Sequence, residues 1–180
     1  RTTVNISIAG DDPAELWTIV VENLTARERR LKLVPYLEWV LNRPESDRGH
    51  TQYNRLYPEM EYAADLHSVL AWHKQSKAMG ILAADVMPEG FLTSRIDFIG
   101  RAQSLASPRV LQTLAFSEAR DTASHPTFDP IGSLVLDVNL KPRESGQVKL
   151  LIGLTSSRRS AAGLISRHLG IQTEDSAPSR

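Results

Sequence analysis

Alternation of apolar residues with mostly polar ones near the C-terminus constrains the fold of this chain more than any other feature. In residues 134–140, four apolar residues occupy every second position: Leu134, Leu136, Val138 and Leu140. A period of two is typical of a β-strand with one buried face. After the turn-forming stretch 142–146, the alternation resumes in residues 148–152. The two stretches predict a C-terminal β-hairpin.

Shorter stretches of the same kind fill most of the chain. Strands are predicted at residues 4–8, 16–22, 31–39, 57–64, 65–73 and 79–84. The second and third of these are expected to form a hairpin. Pro35 puts the third at a sheet edge or a bulge, because proline has no N–H to donate. Since helices do not alternate with the strands, the pattern predicts an all-β sandwich or barrel and not a parallel sheet.

Helical patterns are few. A short internal helix is predicted with Ser107 as its N-cap and Pro108 at its first position. From Ser157 the apolar residues recur at three- and four-residue spacing, and Gly170 follows where such a helix would end. Residues 42–55 are polar and contain proline and glycine, so they are interpreted as a long exposed loop.

The charge balance argues against two classes of partner. Lys and Arg number 21, as do Asp and Glu, so the formal net charge is zero and favours neither nucleic acid nor an anionic membrane surface. No apolar run approaches the roughly 18 residues of a membrane span. The chain has no cysteine, which excludes disulfides and thiol chemistry and suits a reducing compartment, so a cytoplasmic location is expected. It lacks an initiator Met and ends in a polar stretch, 171–180, predicted to be a disordered tail, so we interpret it as a piece of a longer protein.

Catalytic motifs are missing from the sequence. It contains no glycine-rich phosphate loop, no G-x-S-x-G elbow and no H-E-x-x-H helix, and no cofactor is predicted. No metal site is predicted either, because His67 and His73, the two histidines that could share a strand face, lie too far apart along it. The paired carboxylates are interpreted as turn formers or strand surface: Asp11 with Asp12, Glu59 with Glu61, and Asp121 with Asp129. The N-x-[ST] matches at Asn5 and Asn23 are interpreted as chance sequons.

One segment and one aromatic residue are candidates for binding. Arg95 and Arg101 bracket Asp97, an arrangement suited to presenting a guanidinium to an anion or to sugar hydroxyls. The alternative is an internal salt bridge that pins the loop. Trp39 falls on an apolar strand face and is expected in the core, whereas Trp72 is free to stack on a sugar ring. The candidate carbohydrate-binding residues are therefore Arg95, Asp97, Arg101 and Trp72, and no catalytic residue is predicted.

Four stretches, in order, resemble a known family. The first spans residues 21–41 and contains Asn23-Leu24-Thr25, Arg29-Arg30-Leu31 and Tyr36-Leu37-Glu38-Trp39-Val40-Leu41. The others are residues 95–101, with Asp-Phe-Ile-Gly-Arg at its end; Ser104-Leu105 with Pro108; and Asp129-Pro130 leading into residues 134–140 and 151–153. Together they are similar to the N-terminal β-domain of glycoside hydrolase family 94, formerly glycosyltransferase family 36, over residues 1–170.

The resemblance implies a β-supersandwich of the galactose-mutarotase-like kind at residues 1–156, with the short internal helix, followed by the start of a helical linker at 157–170. In that family the catalytic Asp and the phosphate site lie in a subsequent (α/α)6 barrel. The resemblance therefore implies no catalytic residue in this chain. The implied role is a non-catalytic domain that supports the barrel, adds a loop to the rim of its active site and forms a homodimer surface.

The same family contains cellobiose, cellodextrin and chitobiose phosphorylases and the C-terminal part of cyclic β-1,2-glucan synthases. The sequence departs from the disaccharide phosphorylases at residues 50–62 and from the family's Asp-Pro-Cys-Ala-Ala at 129–133, which favours the synthase type. The implied partners are a β-glucan or oligosaccharide and the chain's own barrel. Contact with a membrane, such as the bacterial inner membrane, would come only through other domains of the parent enzyme.

Two alternatives remain open. A free-standing carbohydrate-binding module would need a row of exposed aromatic residues, but aromatic residues make up only 6% of the chain. An epimerase of the mutarotase type would need a histidine and a carboxylate on one sheet face, for which His67 or His73 with Glu59 or Glu61 is the available set.

Overall fold

The computed structural model describes residues 1–118, the backbone of 124–125, and residues 129–172. Most of the predicted tail, and Asp121 of the predicted carboxylate pairs, lie outside the described residues. In chain order the elements are β1 (Thr2–Ile8), β2 (Ala14–Glu22), β3 (Arg29–Leu33), β4 (Tyr36–Glu38), α1 (Pro44–Asn54), β5 (Pro58–Ala63), a 3-10 turn (Ala64–Leu66), β6 (Ser68–His73), β7 (Ala78–Ala84), β8 (Gly90–Ser94), α2 (Arg95–Ile99), α3 (Arg109–Thr113), β9 (Ser117–Glu118), β10 (Ser124–His125), β11 (Pro130–Leu140), β12 (Ser145–Thr155) and α4 (Arg158–Leu169).

Two antiparallel sheets face each other. The larger has seven strands in the order β1-β2-β12-β7-β6-β5-β10. The smaller has five, in the order β3-β11-β8-β9, with β4 also paired to β11. The predictions of an all-β sandwich and of a terminal helix are confirmed. The described residues contain three internal helices, α1, α2 and α3, where one was predicted.

Two predicted hairpins are wrong. β2 pairs with β1 and β12 in the larger sheet, whereas β3 pairs with β11 in the smaller one. Likewise, β11 lies in the smaller sheet and β12 in the larger. Each connection therefore crosses the sandwich. The alternation identified the buried face of each strand correctly, but it does not identify the partner strand. Two consecutive strands show the same alternation whether they pair in one sheet or lie in opposite sheets that face each other.

The space between the sheets is filled by the alternating apolar residues. Leu134, Leu136, Val138 and Leu140 all lie in this core, as expected. Across from them, Tyr62 of β5 stacks on Phe91 of β8, with ring centroids 4.3 Å apart and planes 2° apart. Both rings are fully buried, so the stack fixes the distance between the two sheets at this point.

Helices cover the outer faces. Ala161, Ala162, Leu164 and Ile165 of α4 pack on the outer face of the larger sheet against Leu66, Ile81 and Leu151. Phe98 and Ile99 of α2 and Val110 of α3 pack on the smaller sheet against Leu92, Ile131 and Val135. Because β6 and β7 are covered on both faces, their sequences are apolar almost throughout.

The predictions for residues 42–55, for β1 and for the start of the internal helix need correction. Residues 42–55 are not a loop: α1 begins at Pro44, carries Glu45 and Asp47 in its first turn, and is interrupted at His50, whose backbone is not helical. The helix was missed because it has almost no apolar face. β1 buries neither face, although its residues alternate: it is the outermost strand of the larger sheet, and none of its residues belongs to a core cluster.

The internal helix begins one residue later than predicted. Pro108 occupies the cap position of α3, and the Ser107 hydroxyl does not cap the helix but accepts a hydrogen bond from the Gln112 side chain at 2.9 Å. In contrast, the predicted ends of α4 are confirmed. Ser157 accepts from the Ser160 N–H, and Gly170 adopts the left-handed conformation at φ 75°.

The predicted effect of Pro35 is also confirmed. β3 and β4 lie along one side of β11 at the edge of the smaller sheet, with Leu33 opposite Leu136 and Tyr36 opposite Ser133. Pro35 lies in the gap between them, where its missing N–H interrupts the ladder.

Candidate functional site

Four charged side chains form a closed ring where β4, α1, α2 and β11 meet. The Arg55 guanidinium donates to the Glu38 carboxylate at 2.8 Å and to the Asp129 carboxylate at 2.9 Å. Arg95 donates to Glu38 at 3.1 Å and lies 3.6 Å from the Asp129 carboxylate. The backbone N–H of Arg95 also donates to the Asp129 carbonyl oxygen at 2.9 Å. We call these four residues, Glu38, Arg55, Arg95 and Asp129, the ion-pair ring.

Tyr36 extends the ring on the β4 side. Its hydroxyl donates to Glu38 at 2.6 Å, and its ring contacts Phe98 of α2 with centroids 4.6 Å apart. Burial acts to raise the pKa of Glu38, but the Tyr36 hydroxyl and the two guanidiniums outweigh it and lower that pKa. Burial and the Glu38 carboxylate together raise the pKa of Tyr36 well above its usual value. Glu38 is therefore held as a carboxylate and Tyr36 as a neutral donor.

The ion-pair ring gives Arg95 partners that the sequence did not indicate. Arg95 does make an internal salt bridge, but with Glu38 and Asp129 and not with Asp97. Asp97 and Arg101 are exposed, and neither makes an ion pair with any described residue. The three residues predicted to act together thus have separate environments.

The residues between Asp97 and Arg101 are structural. Phe98 and Ile99 are buried under the smaller sheet. Gly100 has φ +89°, and a Cβ atom there would lie 2.9 Å from the Arg109 Cβ. The Asp-Phe-Ile-Gly-Arg stretch therefore anchors α2 against α3, which explains the aromatic, aliphatic and glycine positions without a ligand.

Trp72 lies elsewhere, in a pocket on the outer face of the larger sheet. The pocket has a volume of about 560 Å³, and its lining includes Trp72, Glu59, Glu61, Asp65 and Arg158. Cross-strand partners share a face, and Trp72 has Glu59 of β5 on one side and Met79 of β7 on the other. Because α2 covers the outer face of the smaller sheet, Trp72 and Arg95 lie on opposite sides of the sandwich and do not form one site.

Arg158 closes the helix end of this pocket. Its guanidinium donates to both oxygens of Asp65, at 2.7 and 2.9 Å, and to Glu61 at 3.3 Å. On the other side, the Lys74 ammonium lies 2.5 Å from the Glu59 carboxylate. Burial acts to lower the pKa of Arg158, but the two carboxylates outweigh it and raise that pKa, so Arg158 stays a cation. The pocket is lined by three carboxylates and one guanidinium, and Lys74 pairs with Glu59 from outside the lining.

The histidine and carboxylate set does not assemble around His73. His73 is opposite Pro58 on the inner side of the larger sheet, 1% exposed, while Glu59 and Glu61 point outward. Its Nδ1 accepts from the Ser76 N–H at 3.2 Å, which puts the proton on Nε2, and Nε2 has no partner among the described residues. Burial lowers the pKa values of both His73 and His67. In the described ranges no three His, Asp or Glu side chains are placed to hold a metal ion.

The sequence contained partial signals for the residues that were missed. Glu38 stands in the Tyr-x-Glu-Trp stretch, and Asp129 precedes a proline at a strand start, but their shared partner Arg55 lies in the segment interpreted as a loop. Asn23 has a structural role that its N-x-[ST] match does not reveal. It is 4% exposed, and its side-chain amide donates to the carbonyl oxygens of Arg27, Leu140 and Lys141. It thus ties together the two turns that cross the sandwich.

Comparison with known proteins agrees with the fold. The family model described as glycosyl hydrolase 94, supersandwich domain, matches residues 1–170. A protein named solabiose phosphorylase, from Paenibacillus borealis, is 27% identical over 169 residues, which is 91% of this chain and 21% of that relative. The chain thus spans about a fifth of the length of this curated relative. Across the described residues, no helix is both long and apolar enough to span a bilayer. Since the family model covers nearly the whole chain, the chain belongs to glycosyl hydrolase family 94, as its supersandwich domain.

Proposed function

We propose that this chain is a non-catalytic domain of a larger family 94 enzyme that makes or phosphorolyses β-linked glucans. The observation that carries the proposal is the family match over residues 1–170. The charged residues of the matched stretches support it, because Glu38, Arg95 and Asp129 hold one another in the ion-pair ring and do not converge on an open cleft. Such an arrangement favours a scaffold over a reaction centre.

The domain's role in this proposal is to buttress an (α/α)6 catalytic barrel. Large apolar side chains around α2 and α3 are about half exposed: Ile96, Leu105, Leu111 and Leu114. Exposed apolar residues grouped on one side favour contact with another protein surface. The barrel is the proposed partner, and a second copy of the enzyme in a homodimer is the alternative.

Two classes of parent enzyme fit the family. The name of the relative supports a phosphorylase, which would transfer a glycosyl group to phosphate. The departures at residues 50–62 and 129–133 favour a cyclic β-1,2-glucan synthase. A cytoplasmic location of this domain remains part of the proposal, with any membrane anchor in other domains of the parent.

The test compares this chain with its full-length natural protein. Each is incubated with inorganic phosphate and cellobiose, sophorose or chitobiose, and release of the sugar 1-phosphate is measured. Cyclisation of β-1,2-glucan is assayed in parallel. We expect one of these activities in the full-length protein and none in the chain alone. Turnover by the isolated chain, or a full-length protein inactive in every assay, would overturn the proposal.

A carbohydrate-binding module is the second candidate function. The observation in its favour is the pocket around Trp72, in which a half-buried indole lies among carboxylates and a guanidinium. Binding by this pocket is compatible with the scaffold role, because the two use opposite sides of the sandwich.

A further inference from the structure

We propose that the pocket around Trp72 is a binding site for a β-linked gluco-oligosaccharide. The choice of sugar rests on the proposed function, whereas the pocket and its chemistry are features of this chain. We call the site the Trp72 pocket and define it by Trp72, Glu59, Glu61, Asp65 and Arg158.

Strand pairing builds the floor of the site. Trp72 lies in a row with Glu59 and Met79, and the next row on the same face is Glu61, Leu70 and Ile81. Neighbouring strands are about 5 Å apart, so the indole has an apolar side chain on one edge and carboxylates on the other. This is the arrangement that a pyranose needs, because its C–H face packs on an aromatic ring while its hydroxyls point sideways to acceptors.

The polar groups of the pocket suit a neutral ligand rich in hydroxyls. The Glu59 and Glu61 carboxylates each have lone pairs beyond those used by Lys74 and Arg158, and a carboxylate can accept up to about four hydrogen bonds. Three carboxylates line the pocket with a single guanidinium, and this excess of negative charge would repel a phosphate group. The mixed charges therefore favour a sugar over a nucleotide or another anion.

The dimensions of the pocket also agree. Its volume of about 560 Å³ lies within the range of small-ligand sites, about 300–1,000 Å³. Arg158 limits it at the helix end, and its two carboxylate partners fix that guanidinium in place. A fixed donor loses little side-chain entropy when a ligand binds.

The test measures binding of cellotetraose and of the β-1,2-linked glucotetraose by the 180-residue chain, with maltotetraose as an α-linked control. We expect saturable binding of at least one β-linked tetrasaccharide, with Kd of about 1 mM or tighter, and a change in tryptophan fluorescence. If neither β-linked sugar saturates the chain at about 20 mM, the proposal is overturned. Equally tight binding of maltotetraose would also overturn it.

Variants locate the site. We expect Trp72→Ala to weaken binding at least about tenfold and Glu59→Gln about threefold or more, since Glu59 is on the surface and its loss spares the fold. Trp17→Ala is the matched control, because Trp17 is also half buried but packs on the other face of the sheet, and its affinity change should stay within about twofold. Equal affinity of the wild type and Glu59→Gln, with Trp72→Ala weakened no more than Trp17→Ala, would overturn the assignment.

The outcome separates this inference from the proposed function. If the full-length protein turns over a β-linked sugar but the chain binds none, the Trp72 pocket is refuted and the scaffold role stands. If the chain binds sugar but the full-length protein is inactive in every assay, the pocket stands and the proposed parent activity is refuted.

Discussion

Trp39 fills a space that two glycines leave open between the sheets. A Cβ atom at Gly80 of β7 would lie 2.5 Å from the Trp39 ring, and one at Gly132 of β11 would lie 2.8 Å from it. The indole is 8% exposed and touches both sheets. Its place in the core followed from the sequence, since it alternates with other apolar residues, but the two glycines that receive it come from distant strands that no local pattern connects.

Gly132→Ala tests this close packing. The added methyl group must displace the Trp39 ring or separate the sheets, so we expect a loss of about 1–3 kcal/mol in the free energy of unfolding. Urea denaturation measures it. The control is Gly163→Ala in α4, where nothing lies within 4 Å of the added methyl group and better helix propensity should stabilise the protein by about 0.5–1 kcal/mol. Equal effects of the two substitutions would contradict the packing argument.

Asn23 is a second residue whose role depends on tertiary structure. Asn23→Ala should lower the free energy of unfolding by about 2–4 kcal/mol, because three carbonyl oxygens at the sandwich crossings lose their donor. Asn5, in the other sequon, is exposed on β1, and Asn5→Ala should change stability by less than about 0.5 kcal/mol. If the side chain of Asn23 had no structural role, Asn23→Ala and Asn5→Ala would have similarly small effects on stability. Thermal and urea unfolding measure the difference.

Among the elements, the strands were predicted better than their pairing. Each of the eight predicted period-two stretches overlaps a strand, because alternation depends only on which side chains face the core. The pairing of β11 with β3 joins residues more than a hundred positions apart, and no local pattern specifies it. The sequence does not predict α1 because the helix is polar and shows no apolar periodicity. Tertiary contacts such as the Arg55 ion pairs stabilise its C-terminal end.

The ion-pair ring should stabilise the junction of four elements more than an isolated surface pair does. We expect Glu38→Gln to lower the free energy of unfolding by about 1–2 kcal/mol near pH 7, since it leaves Arg55 and Arg95 with one carboxylate between them. Glu28 pairs with Arg30 on the surface, so Glu28→Gln should cost less than about 0.5 kcal/mol.

The same substitution has a pH signature. The pKa of Glu38 is lower in the folded protein than its ordinary value of 4.5, so its stabilising effect is present above that pH and is lost as the pH falls below it. The difference in stability between wild type and Glu38→Gln should therefore shrink between pH 5 and about pH 3. A difference independent of pH would show that the ring contributes through packing alone.

At the scale of the whole molecule, α4 belongs to the described fold and does more than follow the sandwich. Its apolar face covers Ile81 and Leu151 of the larger sheet, and at its far end Arg167 and His168 pair with Asp12 in the β1–β2 turn. The helix itself was readable from its spacing and caps. The surface that α4 covers could not be predicted. The apolar residues of β6 and β7 indicate strands buried on both faces, but they do not specify which element covers the outer face.

Stability of the molecule as a whole should depend on pH in the range of histidine titration. The pKa values of His67 and His73 are lowered by burial, so the folded protein binds fewer protons than the unfolded chain. Stability is then full above the ordinary pKa of 6.5 and falls as the pH drops below it. Between pH 7.5 and 5.5 we expect the free energy of unfolding to decrease by about 1–2 kcal/mol.

His73→Gln identifies the source of this dependence. The variant lacks one of the two titrating groups, so its loss of stability between pH 7.5 and 5.5 should be clearly smaller than that of the wild type in urea denaturation. His50 is exposed on α1, and His50→Gln should retain the wild-type slope. An unchanged slope in His73→Gln would mean that water reaches the buried Nε2 and solvates the charged ring. The cost of protonation must fall on the folded state. A second proton would sit on Nδ1 and break the hydrogen bond that Nδ1 accepts from the Ser76 N–H, while Nε2 has no partner among the described residues.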